Sequence, residues 1–272
     1  MRFSILASGS TGNAAYIETD NVRLLIDAGI SGKHLITLLD SIGVKPESLD
    51  ALLITHEHID HVKGLGVVAR RYGLPIYTNE ATWQALPKTV GDIDEQQKHI
   101  LPTDGAMTFA DVEVETFGTS HDAAEPMGFC FYHRKTKLSF MTDLGYVSEK
   151  IKAKVRESDV IICESNHDID MLRMGRYPWN VKRRILSDVG HLSNEDAGDA
   201  LVDIVGSTCR DVYLAHLSLD NNMTDLARMT VENILREAGV EVGKEVKLHD
   251  TYHDRATPLV ELRSPSSRAL NN

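Results

Sequence analysis

The chain has 272 residues, 42% of them hydrophobic and 25% charged, with 12 histidines and a formal net charge of -11. That composition is ordinary for a globular protein able to bury a sizeable core. Its acidity excludes broad electrostatic adhesion to nucleic acid, so any polyanion must be held by a local basic patch or by bound cations.

No apolar run reaches membrane-spanning length, and a glycine-rich turn at 8–13 arrives too early for a secretory signal. Cys130, Cys163 and Cys209 are odd in number, widely spaced and set in apolar runs, the pattern of reduced core thiols. A cytosolic (cytoplasmic) protein without disulfides is expected. In chain order, Ser8-Gly9-Ser10-Thr11-Gly12-Asn13 lacks the Gly-Lys-Ser/Thr of a phosphate-binding P-loop and leads into no helical pattern, which points to a hairpin turn. Short strand-like apolar runs, each ending in a polar or acidic residue, follow at 22–27, 52–56, 75–78, 112–116, 138–143, 160–164 and 212–216. Between them, apolar residues three and four apart predict helices at 33–42, 65–71, 148–156, 194–205 and 224–238, with Ser193 and Asp196 as a capping pair for the fourth. The alternation is that of an α/β protein. No repeat, low-complexity linker or composition break divides it, so 1–263 reads as one domain and 264–272 as a loose tail.

The second strand-like run ends in His56-Glu57-His58-Ile59-Asp60-His61. Three imidazoles and a carboxylate from one strand end are groups that bind zinc or manganese, and their spacing lets them be divided between two neighbouring ions. A surface histidine cluster is the plainer alternative. Further candidates close later runs: His121, Asp143, whose two carboxylate oxygens are able to bridge two ions, and His216. Singly, each is more often a capping or hydrogen-bonding residue; in this order after the motif they are far more specific. His34, His99 and His133 stand alone, and His249 and His253 lie in a short strand-and-turn pattern; none is read as a ligand.

Together these motifs resemble the metallo-β-lactamase superfamily over essentially the whole chain. The resemblance implies an αββα four-layer sandwich, two facing mixed sheets flanked by helices, with two divalent metal ions at the edge where the halves meet. Manganese, zinc and iron all suit such ligands. By the same resemblance His56, His58 and His121 hold the first ion, Asp60, His61 and His216 the second, and Asp143 bridges them. Asp27 supports the motif without touching an ion, in the way that outer carboxylates fix imidazole tautomers and ring orientation. The implied chemistry is hydrolysis by a water activated at neutral pH, with Asp60 among the catalytic groups.

The superfamily spans β-lactams, thioesters, lactones and nucleic acids, so local features must choose the substrate. Segment 171–184 carries Arg173, Arg176, Lys182, Arg183 and Arg184 with no acidic residue, interleaved with Tyr177 and Trp179. Cations for phosphates and aromatic faces for bases compose a nucleic-acid groove; a solvated helix and loop is the equal alternative. Glu164-Ser165-Asn166-His167 and Gly190-His191-Leu192-Ser193 resemble the His-Glu-Ala-Thr and Gly-His-Ser-Thr segments of transfer-RNA 3′-processing nucleases, although Cys163 stands where those have histidine. Glu164 and His191 are thereby candidates for proton relay to a leaving oxygen, a backbone-bonded histidine at a helix start being the alternative for His191.

More specifically, Ala-Ser-Gly-Ser-x-Gly-Asn, Thr-His-Glu-His-x-Asp-His, Glu-Ser-Asn-His-Asp, Arg-Tyr-Pro, Gly-His-Leu-Ser-Asn and Leu-x-His-Leu-Ser-x-x-Asn-Asn are similar to the bacterial group known as YycJ, WalJ or VicX, throughout 1–262. That likeness implies a metal-dependent 5′ to 3′ exonuclease on double-stranded DNA, linked to a cell-wall two-component system, with Asn13, His167, Ser218 and Asn221 around the phosphate. Too few residues separate Asp143 from His216 for the large extra domain of RNase J-type and CPSF-type nucleases, and no thioester-binding helical domain follows His216 as in glyoxalase II. Two alternatives stay open. One is a carboxylic-ester, lactone or thioester hydrolase of the same fold, for which a charge swap in Arg176, Lys182 and Arg183 should scarcely matter. The other is a metal-stabilised regulatory adaptor of a two-component system.

Overall fold

Two seven-stranded sheets face one another in the computed structural model, which describes residues 1–206 and 209–262. The tail expected at 264–272 lies outside the described residues. The first sheet runs β14 (Val260–Glu261), β1 (Arg2–Ala7), β2 (Ala14–Glu18), β3 (Arg23–Ile26), β4 (Ala51–Leu53), β5 (Ile76–Thr78) and β6 (Lys98–Ile100). The second runs β13 (Lys247–Asp250), β12 (Asp211–Ala215), β11 (Val160–Glu164), β10 (Thr136–Met141), β9 (Met127–His133), β8 (Val112–Gly118) and β7 (Ala106–Phe109). Both are mixed. Pairing is antiparallel from β14 to β3 and parallel from β3 to β6; likewise it is antiparallel from β7 to β10 and parallel from β10 to β13. Parallel strands end on the same side of their sheet, so the loops leaving β3 and β4, and those leaving β10, β11 and β12, gather at one edge.

Helices α1 (Gly32–Ser41), α2 (Ile59–Val62), α3 (Leu65–Tyr72) and α4 (Glu80–Ala85) follow strands of the first sheet. Helices α5 (Glu149–Val155), α6 (Ile169–Met174), α7 (Trp179–Ile185), α8 (Asn194–Ile204) and α9 (Thr224–Glu237) follow strands of the second. Adjacent residues of β3 show why Leu24, Leu25 and Ile26 are all apolar. Leu24 and Ile26 pack between the sheets with Phe3, Leu53, Phe129 and Ile162, whereas Leu25 packs outward with Leu35 and Leu39 of α1 and Leu65 of α3. Side chains alternate between the faces of a strand, so a strand covered on both sides must be apolar at every position. Ile161 and Leu214 pack outward in the same way with Ile151 of α5, Leu201 of α8 and Val231 and Leu235 of α9. The layers are therefore helix, sheet, sheet, helix, the αββα sandwich. Among the described residues no helix is long and apolar enough to cross a membrane.

The strand-like runs correspond to β3, β4, β5, β8, β10, β11 and β12, and the helical patterns to α1, α3, α5, α8 and α9. The glycine-rich start connects the antiparallel pair β1 and β2. Gly12 is required there, because an added Cβ would lie 2.7 Å from the carbonyl oxygen of Gly29. The three cysteines are buried and free, and burial pushes the Cys209 thiol up to about 12, far from a reactive thiolate. At the start of α8, Ser193 Oγ accepts from Asp196 N at 3.0 Å and Asp196 Oδ2 accepts from Ser193 N at 3.4 Å, a capping box. Chemical denaturation should show Ser193→Ala losing about 1 kcal/mol and Phe129→Ala, from the centre of the sandwich, about 3–5 kcal/mol; equal losses would contradict this packing.

Candidate metal centre

Seven side chains from distant parts of the sequence meet at the edge where the two parallel halves end. His56 and His58 leave β4, Asp60 and His61 open α2, and His121, Asp143 and His216 lie beyond β8, β10 and β12. Backbone conformation contributes to this convergence. Asp27, Asp143 and His216, each just past a strand, have φ of 57°, 58° and 57°. A residue bearing a Cβ is disfavoured in this left-handed region by about 1–2 kcal/mol, so the surrounding structure has to hold it there.

The ligand-type atoms fall into overlapping groups. Those of His56, His58 and His121 lie within 4.8 Å of one another, as do those of Asp60, His61 and His216. Asp143 stands between the groups. Its Oδ2 is 3.3 Å from His61 Nε2, and its Oδ1 is 3.3 Å from His216 Nε2 and 3.9 Å from His121 Nε2. The outward nitrogens are all engaged. His61 Nδ1 is 2.7 Å from Asp27 Oδ2, His121 Nδ1 is 2.9 Å from the Gly190 carbonyl oxygen, and His216 Nδ1 is 3.1 Å from Glu164 Oε1. His58 is reversed: its Nε2 is 3.1 Å from the Asp122 carbonyl oxygen, which leaves Nδ1 3.3 Å from His121 Nε2. Holding one ring nitrogen fixes which other nitrogen faces the centre. Asp27 also accepts from Thr55 N at 2.9 Å, which braces the start of the motif.

Burial alone would raise the carboxyls of Asp143, Glu164 and Asp60, yet imidazoles hold all three below the usual carboxylate range. His216 and His61 act on Asp143, His191 and His216 on Glu164, and His61 and His216 on Asp60. In return, burial would lower His61, but Asp143, Asp27 and Asp60 raise it to about 9, and Asp143, Asp60 and Glu164 lift His216 well above its ordinary value. Burial and the neighbouring imidazoles push His56 well down, leaving it as the neutral ring that a metal requires. The arrangement demands positive charge at its centre. Two buried atoms there, His56 Nε2 and Asp143 Oδ2, have no hydrogen-bond partner, although buried polar atoms are nearly always partnered. A cation would satisfy both, and the donor set of imidazoles and carboxylates suits metal binding.

Glu164 is wholly buried, with both oxygens engaged. Oε1 receives His191 Nδ1 at 2.7 Å and His216 Nδ1, while Oε2 accepts from Leu144 N at 3.1 Å and Leu192 N at 3.4 Å. Glu164, expected with His191 as a candidate for proton relay, stands directly against the rings of His191 and His216. Asn13 braces the glycine-rich turn by accepting from Gly9 N at 2.9 Å, and its Nδ2 lies 3.1 Å from His61 Nε2. His167 is buried with neither ring nitrogen partnered, and burial lowers it to about 4. Asn221 Nδ2 donates to Ser218 Oγ at 3.3 Å, while its Oδ1 is unpartnered. Arg173, Arg176 and Arg183 are exposed. Lys182, expected beside them, is instead buried, donating to the carbonyl oxygens of Arg173 at 2.7 Å and Gly175 at 2.6 Å, which ties α7 to the end of α6 and turns its ammonium away from the exposed arginines. His133 and His249 lie apart, paired with Asp111 and Asp211. His216 is also braced by Asn166, whose Nδ2 donates to its carbonyl oxygen at 2.8 Å, and by Ser8, which accepts from its N at 2.7 Å; both lie in motifs quoted above, although neither was expected there as a site residue.

Residues 22–216 match the family described as the Beta-lactamase superfamily domain. The chain is 52% identical over 251 residues to Exodeoxyribonuclease YycJ of Bacillus anthracis, covering 92% of this chain and 95% of that protein. It is 48% identical over 263 residues to Exodeoxyribonuclease WalJ of Streptococcus pneumoniae, covering 96% of this chain and 98% of that protein. The crystal structure of Zn(2+)-bound PqqB from Methylobacterium extorquens superposes with a TM-score of 0.71 at 15% identity, covering 96% of this chain and 100% of that one, a likeness of fold.

Saturating Zn²⁺ or Mn²⁺ should raise the thermal midpoint of chelator-treated protein by about 5–10 °C, the shift expected at a hundredfold excess over Kd. Asp27→Ala should weaken metal affinity by about 10- to 100-fold. A midpoint indifferent to metal in both proteins would show that the cluster holds none.

Proposed function

The chain belongs to the beta-lactamase superfamily, and we propose that it is a dinuclear metal-dependent phosphodiesterase, a 5′ to 3′ exonuclease on double-stranded DNA. One observation carries this reading: a cluster suited to cations and a basic, aromatic arch, residues 169–191, stand side by side. Arg184 of the arch lies 3.0 Å from Asp122, the neighbour of His121, and the Ile185 carbonyl oxygen accepts from His191 N at 3.0 Å. An ester or lactone needs no row of arginines, whereas a phosphodiester strand is held mainly through its backbone charges. Two relatives matched over nearly their full length are named exodeoxyribonucleases.

In this reading His56, His58 and His121 hold one ion, Asp60, His61 and His216 the other, and Asp143 lies between them; manganese and zinc are the leading metals, with iron also suited. When bound, such ions supply a water activated at neutral pH and neutralise charge that develops on the phosphoryl oxygens. The protein supplies position and protons. Asp27 and Glu164 keep His61 and His216 in the required ring orientation. With His191 Nδ1 engaged by Glu164, Nε2 is the nitrogen that hands a proton to the leaving oxygen. His167, neutral at ordinary pH, joins Ser218, Asn221 and the amide of Asn13 as polar groups for the phosphate. Arg173, Arg176 and Arg183 track the backbone, and Trp179, 61% exposed, offers a face for a base.

End-labelled DNA and RNA, duplex and single-stranded, with added Mn²⁺ or Zn²⁺ test the proposal. Release of mononucleotides from the 5′ end of duplex DNA is expected; hydrolysis confined to carboxylic esters or thioesters would refute it. Asp60→Ala and His61→Ala should each lose at least about 100-fold in turnover; His61→Ala, which also takes a buried partner from Asp27, should lower the thermal midpoint of the metal-free protein as well. His191→Ala should lose about 10²- to 10⁴-fold on DNA but far less on a p-nitrophenyl phosphodiester, whose leaving group needs no proton. An equal loss on both substrates would remove His191 as the acid.

A further inference from the structure

Two arginines of the arch already have anionic partners from outside it. Arg184 pairs with Asp122 at 3.0 Å and Arg176 with Asp220 at 3.3 Å, while the Tyr177 hydroxyl donates to Asp220 Oδ2 at 3.0 Å. Neither carboxylate belongs to the arch. Asp122 directly follows His121, its Oδ1 3.4 Å from His121 Nε2, and its carbonyl oxygen receives His58 Nε2. Asp220 lies in the loop leaving His216, where the Asn221 carbonyl oxygen accepts from Asp168 N at the start of α6. The arch is thus tethered at one end to the His58 and His121 half of the cluster and at the other to the loop of His216.

Both pairs are partly exposed. Arg176 and Arg184 have side chains 86% and 55% accessible, and Asp220 and Asp122 40% and 26%. Ion pairs in such settings are weak. A phosphate, which offers a guanidinium two oxygens for the same bidentate grip as a carboxylate, is able to replace the aspartate without any change of fold. An enzyme that shortens a strand stepwise must also release each phosphate it grips. A free arginine would hold the backbone through every step, whereas a neighbouring carboxylate offers the guanidinium a new partner as each phosphate leaves.

Resting on the nuclease reading, we propose that Asp122 and Asp220 are positioning residues that act through Arg184 and Arg176 as exchange partners for the strand's phosphates, lowering grip so that the strand advances. The price of this arrangement is affinity. Asp220→Asn isolates the charge, since it retains an oxygen to accept the Tyr177 hydroxyl, and Asp220 takes no part in the chemistry.

The test uses the metal-loaded protein and a DNA duplex whose 5′ linkages are phosphorothioates resistant to cleavage, titrated across a salt series, followed by kinetics on the ordinary duplex. Asp220→Asn should bind about two- to five-fold tighter at low salt and steepen the slope of log K against log salt by about 0.9, the increment for one added phosphate contact. Its single-turnover removal of the first nucleotide should match the parent, while KM and multiple-turnover kcat both fall about two- to five-fold. Arg176→Gln with Asp220→Asn should bind as Arg176→Gln alone, because the pair acts as a unit; Asp122→Asn should shift affinity and salt slope in the same direction. An unchanged slope, or weaker binding by Asp220→Asn, in a parent that does bind and shorten DNA overturns the exchange role alone. A parent that neither binds nor shortens DNA overturns the nuclease reading itself.

Discussion

Buried negative charge at one edge of an apolar sandwich is the constraint around which the site is organised. Asp27, Asp143 and Glu164 are all removed from water, and an unpaired carboxylate in such a place costs several kcal/mol. Each is matched locally. Asp27 serves Thr55 and His61 at the end of the first sheet, Glu164 serves His191 and His216 at the end of the second, and Asp143 lies between the two sets of rings. The side chains that neutralise these acids are therefore the ones whose remaining nitrogens face the centre. Charge compensation and ligand orientation are achieved by the same contacts, so the geometry exists before any substrate arrives.

The sheets make this convergence unavoidable. Antiparallel strands at one flank of each sheet carry little of the cluster beyond His121, whereas the parallel strands deliver their carboxyl ends, and the loops that follow, to a common edge. Much of that was legible in the sequence, for identifiable reasons. His56 to His61 are contiguous, so their chemistry needed no tertiary information; β3, β11 and β12 announced themselves because strands buried on both faces carry consecutive apolar residues. Asp143 and His216 became readable only in order after the motif. Strand β9, Met127–His133, is as apolar as any of these but ends in no candidate ligand and passed unmarked.

Other features could not be read because they depend on which side chains meet across the fold. Lys182 sits in a run of cations that looks uniformly solvated, yet its ammonium turns inward to close the end of α6. Glu164 follows a strand as a catalytic carboxylate would, but four contacts hold it behind the histidines. The acidic partners of the arch, Asp122 and Asp220, belong to loops far from it in sequence, so a segment that reads as purely basic is partly neutralised in the folded chain.

The left-handed backbone at Asp27, Asp143 and His216 sets folding and chemistry against each other. Glycine adopts that conformation without steric penalty, and replacement at any of the three would relieve roughly 1 kcal/mol of local strain. A redesign guided by backbone energy alone would choose glycine at all three corners, and would strip His61 and Glu164 of buried partners worth more than the strain relieved. β-Branched residues are excluded by the same geometry, which leaves asparagine as the substitution for either aspartate that changes charge while respecting the turn.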